Sequence, residues 1–311
     1  MTKRLIVVEP HGFCSGVARA VATAEAVLAR HRGETVYCLN EIVHNKRVVS
    51  RLAALGMVFV GDIDAVPEGS LLLFSAHGVS PEVVRRAEAR KLRVVDATCP
   101  FVSKVHAEVR RFAARGASVV CIGHRRHEEV VGVAGEAPEH VRIVESAQEA
   151  EALELPGDKP VAVVSQTTLG EAQVEAVMAV LRRRFPALRM PGSTDVCYAT
   201  RNRQRAVSAL ARDCERVLVL GSANSSNTQR LAETAQAAGA EAVLVSEVRQ
   251  LEALAWEHVA SVGVTSGAST PETFLEEVVA FLRARYGFCA PERMTAVQED
   301  SLVFCLPAVP E

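Results

Sequence analysis

Residues 4–28 read RLIVVEPHGFCSGVARAVATAEAVL, which is a short lead-in, a turn with one cysteine and a helical pattern. The same order recurs in KLRVVDATCPFVSKVHAEVRRFAAR at residues 91–115 and in MPGSTDVCYATRNRQRAVSALAR at residues 190–212. The cysteines in these turns, spaced 85 and 98 residues apart, are Cys14, Cys99 and Cys197. A repeat of this length indicates three similar modules, and one thiol from each suggests a shared centre where the modules meet.

The rest of the unit repeats as well. After the first helix comes a strand that ends in a polar loop and opens a second helix, as in residues 118–135. A short strand follows, and the unit closes with a strand, a second polar loop and a helix, as in residues 259–282. We therefore predict modules at residues 14–97, 98–194 and 195–284, with an N-terminal strand at 1–13 that joins the third module and a tail at 285–311.

The strands indicate the fold class. Stretches such as SLLLFS, SVVCIG and RVLVLG are continuous apolar runs, which are typical of parallel sheets buried on both faces by helices. Each run leads directly into a polar loop and then a helix. We predict an α/β protein with three mostly parallel modules, and we infer a pseudo-threefold arrangement of the modules from the repeat. Ligands bind such sheets at the carboxyl ends of their strands, where all the polar loops lie. In this arrangement the loops and cysteines would face a central cavity.

Composition excludes several classes of protein. The 311 residues carry 35 basic and 37 acidic side chains, and aromatic residues make up 5%. Nucleic-acid binding is not expected, because no basic run is interleaved with aromatics. A run of about 18 apolar residues, as needed to cross a membrane, does not occur. The apolar run near the N-terminus is too short for a secretory signal, so the sequence predicts a cytoplasmic protein.

The eight cysteines fall into two groups. We expect the cysteines in apolar strands, a late helical turn and the tail strand to be small buried residues, namely Cys38, Cys121, Cys214 and Cys305. Cys289 is expected at the surface or in a packing role. The three cysteines of the repeat lie at helix starts, where backbone N–H groups and the helix dipole favour thiolates. Three thiolates suit either a zinc ion with an open position or an iron–sulfur cluster with one iron lacking a protein thiolate.

The six polar loops predict an anion site. Neutral donors and histidines at helix N-termini are suited to a diphosphate. These side chains are His44, Asn45, His77, His124, His127, Glu128, Glu129, Thr167, Thr168, Ser225, Ser226, Asn227 and Ser269. The alternative is that the Ser, Thr and Asn residues are ordinary helix caps.

Glu129 is the candidate proton source. It follows the strand-end loop GHRRHEE beside His127, so its carboxyl could donate a proton that the imidazole relays. The alternative is a solvated glutamate stabilised by the helix dipole. His106, inside the helix FVSKVHAEVRR, is interpreted as a core histidine.

Nine motifs in order resemble the 4-hydroxy-3-methylbut-2-enyl diphosphate reductase family from about Leu5 to Ala280. They are PHGFCSGV, EIVHNKRVV, FSAHGVSP, DATCPFVSKVH, GHRRHEE, SQTTL, DVCYATRNRQ, GSANSSN and VTSGAST. The resemblance implies reductive removal of the allylic hydroxyl, which yields isopentenyl diphosphate and dimethylallyl diphosphate as the last step of the non-mevalonate isoprenoid pathway.

The resemblance also implies the parts of the site. A 4Fe–4S cluster would be held by Cys14, Cys99 and Cys197, and its open iron would bind the substrate hydroxyl. Glu129 would donate the proton, with Thr167 beside the hydroxyl. The diphosphate would be held by His44, His77, His127, Ser225, Ser226, Asn227 and Ser269. A monomer would receive single electrons from a ferredoxin or flavodoxin.

Two departures from the family pattern are visible. His11 stands where an Arg usually precedes GFC, and Glu128 replaces the proline of a usual His-Pro-Glu, where it could compete with Glu129 or perturb its pKa. Two other hypotheses remain for the residues alone: a zinc-dependent hydrolase or lyase acting on a phosphorylated metabolite, and a non-catalytic protein that binds phosphorylated metabolites.

Overall fold

The structure, a computed structural model, describes residues 3–299 and 302–310. The predicted N-terminal strand and tail therefore extend partly outside the described residues, at 1–2, 300–301 and 311. The chain forms two compact units. The first unit consists of Met1–Val17, His44–Ser50 and Tyr198–Val303, and the second consists of Ala18–Val43, Arg51–Cys197 and Phe304–Glu311.

The described residues contain twelve strands. They are β1 (Arg4–Glu9), β2 (Val36–Leu39), β3 (Met57–Val60), β4 (Leu71–Phe74), β5 (Arg93–Asp96), β6 (Ser118–Ile122), β7 (Val141–Val144), β8 (Val161–Ser165), β9 (Arg216–Leu220), β10 (Glu241–Val245), β11 (Ser261–Ser266) and β12 (Glu292–Thr295).

Ten α-helices connect these strands within the same described residues. They are α1 (Ser15–Arg30), α2 (Lys46–Ala54), α3 (Pro81–Ala89), α4 (Pro100–Ala113), α5 (Glu128–Ala134), α6 (Ala147–Ala152), α7 (Glu171–Arg184), α8 (Tyr198–Asp213), α9 (Ser226–Ala237) and α10 (Glu272–Tyr286). Short 3-10 helices occupy Ile63–Ala65 and Val248–Ala253. No helix in this part of the chain has both the length and the apolar character that crossing a bilayer demands.

The first unit is built on a five-stranded sheet with the order β10-β9-β11-β1-β12, and every neighbouring pair is parallel. Its strands alternate between two cores. On β1, Leu5 and Val7 pack on one face, while Ile6 and Val8 pack on the other. Burying each such side chain contributes about 1.5–3 kcal/mol. This burial on both faces explains why the strands read as continuous apolar runs.

The second unit contains two further parallel sheets, with the orders β3-β2-β4-β5 and β7-β6-β8. All four residues of β4 and all five of β6 are buried. The prediction of an α/β protein with three parallel sheets is confirmed. The predicted module boundaries and their threefold arrangement stay predictions.

The end of the chain differs in part from the expectation. Residues 302–310 form neither helix nor strand, so the predicted tail strand around Cys305 is wrong. Cys305 is exposed, not buried, because only its backbone is engaged, through a 2.8 Å hydrogen bond from Arg19 Nε to its carbonyl. The segment does pack back on the second unit, since the Phe304 ring centroid lies 6.1 Å from that of Phe101.

Candidate functional site

Glycines allow two strand ends of the first unit to meet the start of α9. Gly221 follows β9 with φ +150°, and a Cβ there would lie 2.6 Å from Thr228 Oγ1. A Cβ at Gly267, just after β11, would also collide with Thr228 Oγ1. Both positions therefore require glycine, and the loops after β9 and β11 converge on the first turn of α9.

The first turn of α9 carries buried polar side chains. Ser225, the N-cap, accepts a hydrogen bond from Thr228 N at 3.4 Å. Ser226 and Asn227 are buried, and both Oδ1 and Nδ2 of Asn227 lack a partner in the described structure. Because an unsatisfied buried polar atom costs about 1–3 kcal/mol, these atoms indicate a place where a polar ligand would be stabilised.

Two further predicted binding residues lie in the first unit. Ser269 follows β11 and donates its hydroxyl proton to the carbonyl of His44 at 3.0 Å. His44 precedes α2, which is capped by Asn45: its Oδ1 accepts from Arg47 N at 3.0 Å and Val48 N at 3.3 Å. The structure therefore joins the His44 and Ser269 loops directly, whereas the sequence only placed them at equivalent ends of strands.

Cys14 lies in the loop between β1 and α1. Its backbone N–H donates to the carbonyl of Ala268 at 3.1 Å, and Gly12 N donates to Ser266 Oγ at 2.9 Å. The Cys14 thiol is partly exposed and accepts from Val17 N, with a separation of 3.4 Å. The loop is thus fixed on the end of β11, and Cys14 is only partly buried there.

Cys99 and Cys197 belong to the second unit and are also partly exposed. Cys99 is the N-cap of α4, and its N–H donates to Ala76 O at 3.0 Å. Cys197 directly precedes α8, and its N–H donates to Thr167 O at 3.0 Å. All three of these cysteines therefore have anchored backbones and are only partly buried.

The other cysteines contrast with this group. Cys38, Cys121 and Cys214 are buried, as predicted. Burial raises the pKa of all three thiols, to about 12 for Cys214, so these side chains remain neutral core residues. Cys289 is exposed, in agreement with the expected surface position.

Glu129 forms a buried pair with Thr167 in the second unit. Its carboxylate Oε1 accepts from Thr167 N at 2.6 Å, and Oε2 accepts from Thr167 Oγ1 at 2.9 Å. Burial raises the pKa of Glu129 to about 7, although the two Thr167 hydrogen bonds oppose the rise, and the Asp195 charge adds to it. A carboxyl group with this pKa can donate a proton near neutral pH. The interpretation as a solvated glutamate is therefore wrong, because the side chain is buried.

His127, the N-cap of α5, points its Nδ1 at Glu129 N, 3.2 Å away. Its ring centroid lies 5.9 Å from that of His77, with the planes at 84°. His77 Nδ1 lies 3.0 Å from Glu128 Oε2. Glu128 therefore pairs with His77, and burial dominates the pKa of Glu129.

Three residues in the site regions were not singled out from the sequence. Asp195 is buried and accepts from Ser165 N at 3.0 Å and from Lys104 Nζ at 3.0 Å, which ties the chain before Cys197 to β8 and α4. Tyr198 OH lies 2.8 Å from Ser15 Oγ in the first unit. Arg203 is buried on α8. Asp195 and Tyr198 flank Cys197, and this proximity was the one signal that could have identified them.

Comparisons with known proteins identify one family of similar proteins. A family model described as LytB protein matches residues 5–283. The 4-hydroxy-3-methylbut-2-enyl diphosphate reductase of Rhodococcus opacus (strain B4) is 48% identical over 306 residues, which cover 98% of this chain and 90% of that protein. A reductase of the same name from Mycobacterium ulcerans (strain Agy99) is also 48% identical, over 98% of this chain and 91% of its own length.

Solved structures give the same result. The E-1-hydroxy-2-methyl-but-2-enyl-4-diphosphate reductase from Plasmodium falciparum matches with a TM-score of 0.95 and 34% identity, covering 99% of this chain and 96% of that one. A second structure, of (E)-4-hydroxy-3-methyl-but-2-enyl diphosphate reductase, described as the terminal enzyme of the non-mevalonate pathway, matches with a TM-score of 0.64 and 31% identity over 91% of this chain and all of that one.

Proposed function

Because this chain belongs to the LytB family of 4-hydroxy-3-methylbut-2-enyl diphosphate reductases, we propose that it converts that allylic diphosphate to isopentenyl and dimethylallyl diphosphate. The substrate gains two electrons and two protons, its allylic C–O bond breaks, a C–H bond forms and water leaves. The observation that carries the proposal is the buried Glu129–Thr167 pair, which holds a proton near neutral pH.

We propose that Cys14, Cys99 and Cys197 hold a 4Fe–4S cluster. The donor set fits, because these partly exposed thiols sit on anchored loops, whereas Cys38 and Cys121 are sealed in strands. When bound, such a cluster supplies electrons and an open iron that draws electron density from the substrate C–O bond. Family membership in a reductase supports this cofactor over the zinc site of a hydrolase or lyase.

The proton path follows from the local hydrogen bonds. In the carboxylate form, Thr167 donates to Glu129 through both its N–H and its hydroxyl. When Glu129 is protonated, its Oε2 can donate to Thr167 Oγ1 instead, which releases the hydroxyl proton of Thr167 toward the substrate oxygen. Protonation turns hydroxide, a poor leaving group, into water. His127 orients the start of the helix that carries Glu129.

We propose from the family resemblance that the diphosphate binds the polar groups predicted from the sequence. In the first unit, His44, Ser225, Ser226, Asn227 and Ser269 line strand ends, and the unpartnered amide of Asn227 is suited to a phosphoryl oxygen. In the second unit, His77 and His127 supply imidazoles. Binding energy from this remote group positions the allylic carbon for reaction.

The remaining parts follow from the family resemblance. We propose that the electrons arrive singly from a ferredoxin or flavodoxin, and that the enzyme acts as a cytoplasmic monomer. Size-exclusion chromatography of the cluster-loaded protein and reduction by each purified donor would test these two points.

The proposed function is tested by an anaerobic assay with dithionite-reduced viologen and the allylic diphosphate. Serine variants of Cys14, Cys99 and Cys197 should each lose iron and turnover, while Cys289→Ser, at an exposed thiol, should retain both. A colourless wild-type protein with stoichiometric zinc and no turnover would instead favour the hydrolase or lyase.

A further inference from the structure

Arg203 is a buried charge that the proposed chemistry does not use. It lies on α8 with its side chain only 1% exposed, and it is the largest fully buried side chain among the described residues. Burying a guanidinium is costly unless the group is paired and hydrogen-bonded, so its retention needs an explanation in the contacts it makes.

Arg203 forms hydrogen bonds with the loop that carries Cys14. Arg203 Nη2 donates to the carbonyl of Gly12 at 2.9 Å, and Nε donates to the same oxygen at 3.3 Å. Nη1 donates to Ala199 O at 3.3 Å, inside α8 itself. The planar fork of an arginine suits a double contact of this kind, which a lysine cannot reproduce.

The guanidinium is in turn braced by Glu299. Its Nη1 lies 3.3 Å from Glu299 Oε1, and Asn202 Nδ2 donates to the same carboxylate at 3.3 Å. The Glu299 side chain is 19% exposed, so the pair is largely shielded from water. Glu299 thus supplies the negative charge that the buried guanidinium requires.

The Gly12 carbonyl, which accepts the hydrogen bonds of Arg203, lies close to Cys14 in the chain. Gly12 has φ +68° and lies two residues before Cys14. Its N–H is held by Ser266 Oγ and the Cys14 N–H by Ala268 O. The Arg203 hydrogen bonds add a third anchor and fix the Gly12–Phe13 peptide, which directly precedes Cys14.

We propose that Arg203, braced by Glu299, is a positioning residue that holds the Cys14 loop in the shape required for cluster ligation. The proposal rests on the proposed function, in which Cys14 is a cluster ligand. Arg203 touches neither the substrate nor the cluster in this assignment, and it acts through the backbone of the loop.

The chain offers a matched control for a purely structural role. Arg216 is also buried in the first unit and bonds to Glu241 Oε2 at 2.8 Å and 3.0 Å and to Ala255 O at 2.7 Å. It lies at the start of β9, at the end of the strand away from the loops that follow it. Losing Arg216 should destabilise the fold without altering the Cys14 loop.

The test measures the rate at which a chelator removes iron from the anaerobically loaded enzyme, well below the unfolding temperature. Arg203→Lys should lose iron about 10- to 100-fold faster than wild type, as is typical when a residue that supports a metal ligand is removed. Glu299→Gln should show a smaller increase in the same direction. Arg216→Lys should match wild type, and the electron paramagnetic resonance spectrum of the reduced cluster should change only in the Arg203 and Glu299 variants.

Equal iron-loss rates and spectra for Arg203→Lys and Arg216→Lys would overturn the positioning role. Cys14→Ser separates this failure from failure of the proposed function. If Cys14→Ser holds iron as firmly as wild type, the ligand assignment is wrong and the positioning role falls with it. If Cys14→Ser loses iron while Arg203→Lys behaves like Arg216→Lys, only the positioning role is overturned.

Discussion

Helices α5 and α9 both begin just after a buried parallel strand, but their first turns differ in kind. The turn of α5 holds Glu129, whose two carboxylate oxygens are satisfied by Thr167 within the protein. The turn of α9 holds Asn227, a neutral amide that is buried with both polar atoms unpartnered in the described structure. Each turn follows a strand with a parallel neighbour on both sides, since β6 lies between β7 and β8 and β9 lies between β10 and β11.

The difference suits the two turns to different chemical tasks. A satisfied, desolvated carboxyl can hold a proton in the absence of any ligand, which is what an acid catalyst needs. A buried amide without a partner can donate a hydrogen bond to a bound anion, which removes the cost of leaving it unsatisfied. On the proposed function, the α5 turn does chemistry and the α9 turn binds.

The largest effect on activity is expected from replacing Glu129, the acid in the first turn of α5. Glu129→Gln should lower kcat about 10²- to 10⁴-fold with little change in KM, because proton donation is lost while binding remains. Wild-type kcat/KM should fall as the pH rises above about 7, where Glu129 ionises. Anaerobic steady-state kinetics measure both quantities. Glu139→Gln, at an exposed position of the same unit, should behave as wild type, and equal kcat values for the two variants would contradict the assignment.

The same carboxyl should make stability depend on pH. The pKa of Glu129 is raised from 4.5 to about 7 in the folded state, so its stabilising contribution is complete below pH 4.5 and is lost as the pH rises toward about 7. The loss amounts to about 3 kcal/mol. Urea denaturation of cluster-free protein across this range should show the decline in wild type and a flatter profile in Glu129→Gln. Parallel profiles would mean that Glu129 titrates normally.

A binding defect of somewhat smaller size is expected at the α9 turn. Asn227→Ala should lower kcat/KM about 10- to 100-fold, mainly through KM, since hydrogen bonds to charged groups contribute about 1.5–3 kcal/mol. The substrate-free variant should be as stable as wild type or more so, because two unpartnered polar atoms are removed. Steady-state kinetics measure the fall in kcat/KM, and thermal unfolding measures the equal or higher stability of the substrate-free variant. Gln236→Ala, exposed on the same helix, serves as the control, and a loss of apoprotein stability in Asn227→Ala would contradict the prediction.

The smallest effect is expected at Glu128. This residue is the first of α5, a position that favours proline, so Glu128→Pro should fold with an unfolding free energy within about 0.5 kcal/mol of wild type. Its ion pair with His77 would be lost, and KM should rise about twofold. Calorimetry and kinetics check this. A loss of activity as large as that of Glu129→Gln would show that the two adjacent carboxylates share one role.

Apolar runs and the repeat were enough to predict the mostly parallel sheets, whereas the site residues stay predictions. Continuous apolar runs predicted parallel sheets because both faces of β6 and β9 are buried. Register against the family's usual His-Pro-Glu motif assigned the acid role to Glu129, and that role stays a prediction. The sequence could not show that Glu128 turns to His77, because neighbouring residues on a helix project in different directions that depend on packing.

Other features depend on contacts between distant residues. The Arg203 fork bonds a carbonyl 191 positions away, and nothing in the local pattern of α8 identifies that partner. The unsatisfied atoms of Asn227 are defined by burial, which a cap motif such as Ser-Ser-Asn does not report. Cys305 was wrongly predicted to be buried because an apolar run was interpreted as a strand, whereas only its carbonyl is engaged.

The position of β1 has a consequence for biosynthesis. β1 ends at Glu9 and pairs with β11, whose first residue, Ser261, is synthesised about 250 residues later. At about 5–20 residues per second, the strand waits roughly 10 to 50 s for its partner. The Cys14 loop likewise meets Ser266 only then, and it can meet Arg203 only once residue 203 has been synthesised. On the proposed function, iron loading at Cys14 is therefore expected only after β11 has been synthesised, and nascent chains stalled before residue 203 should not retain iron there.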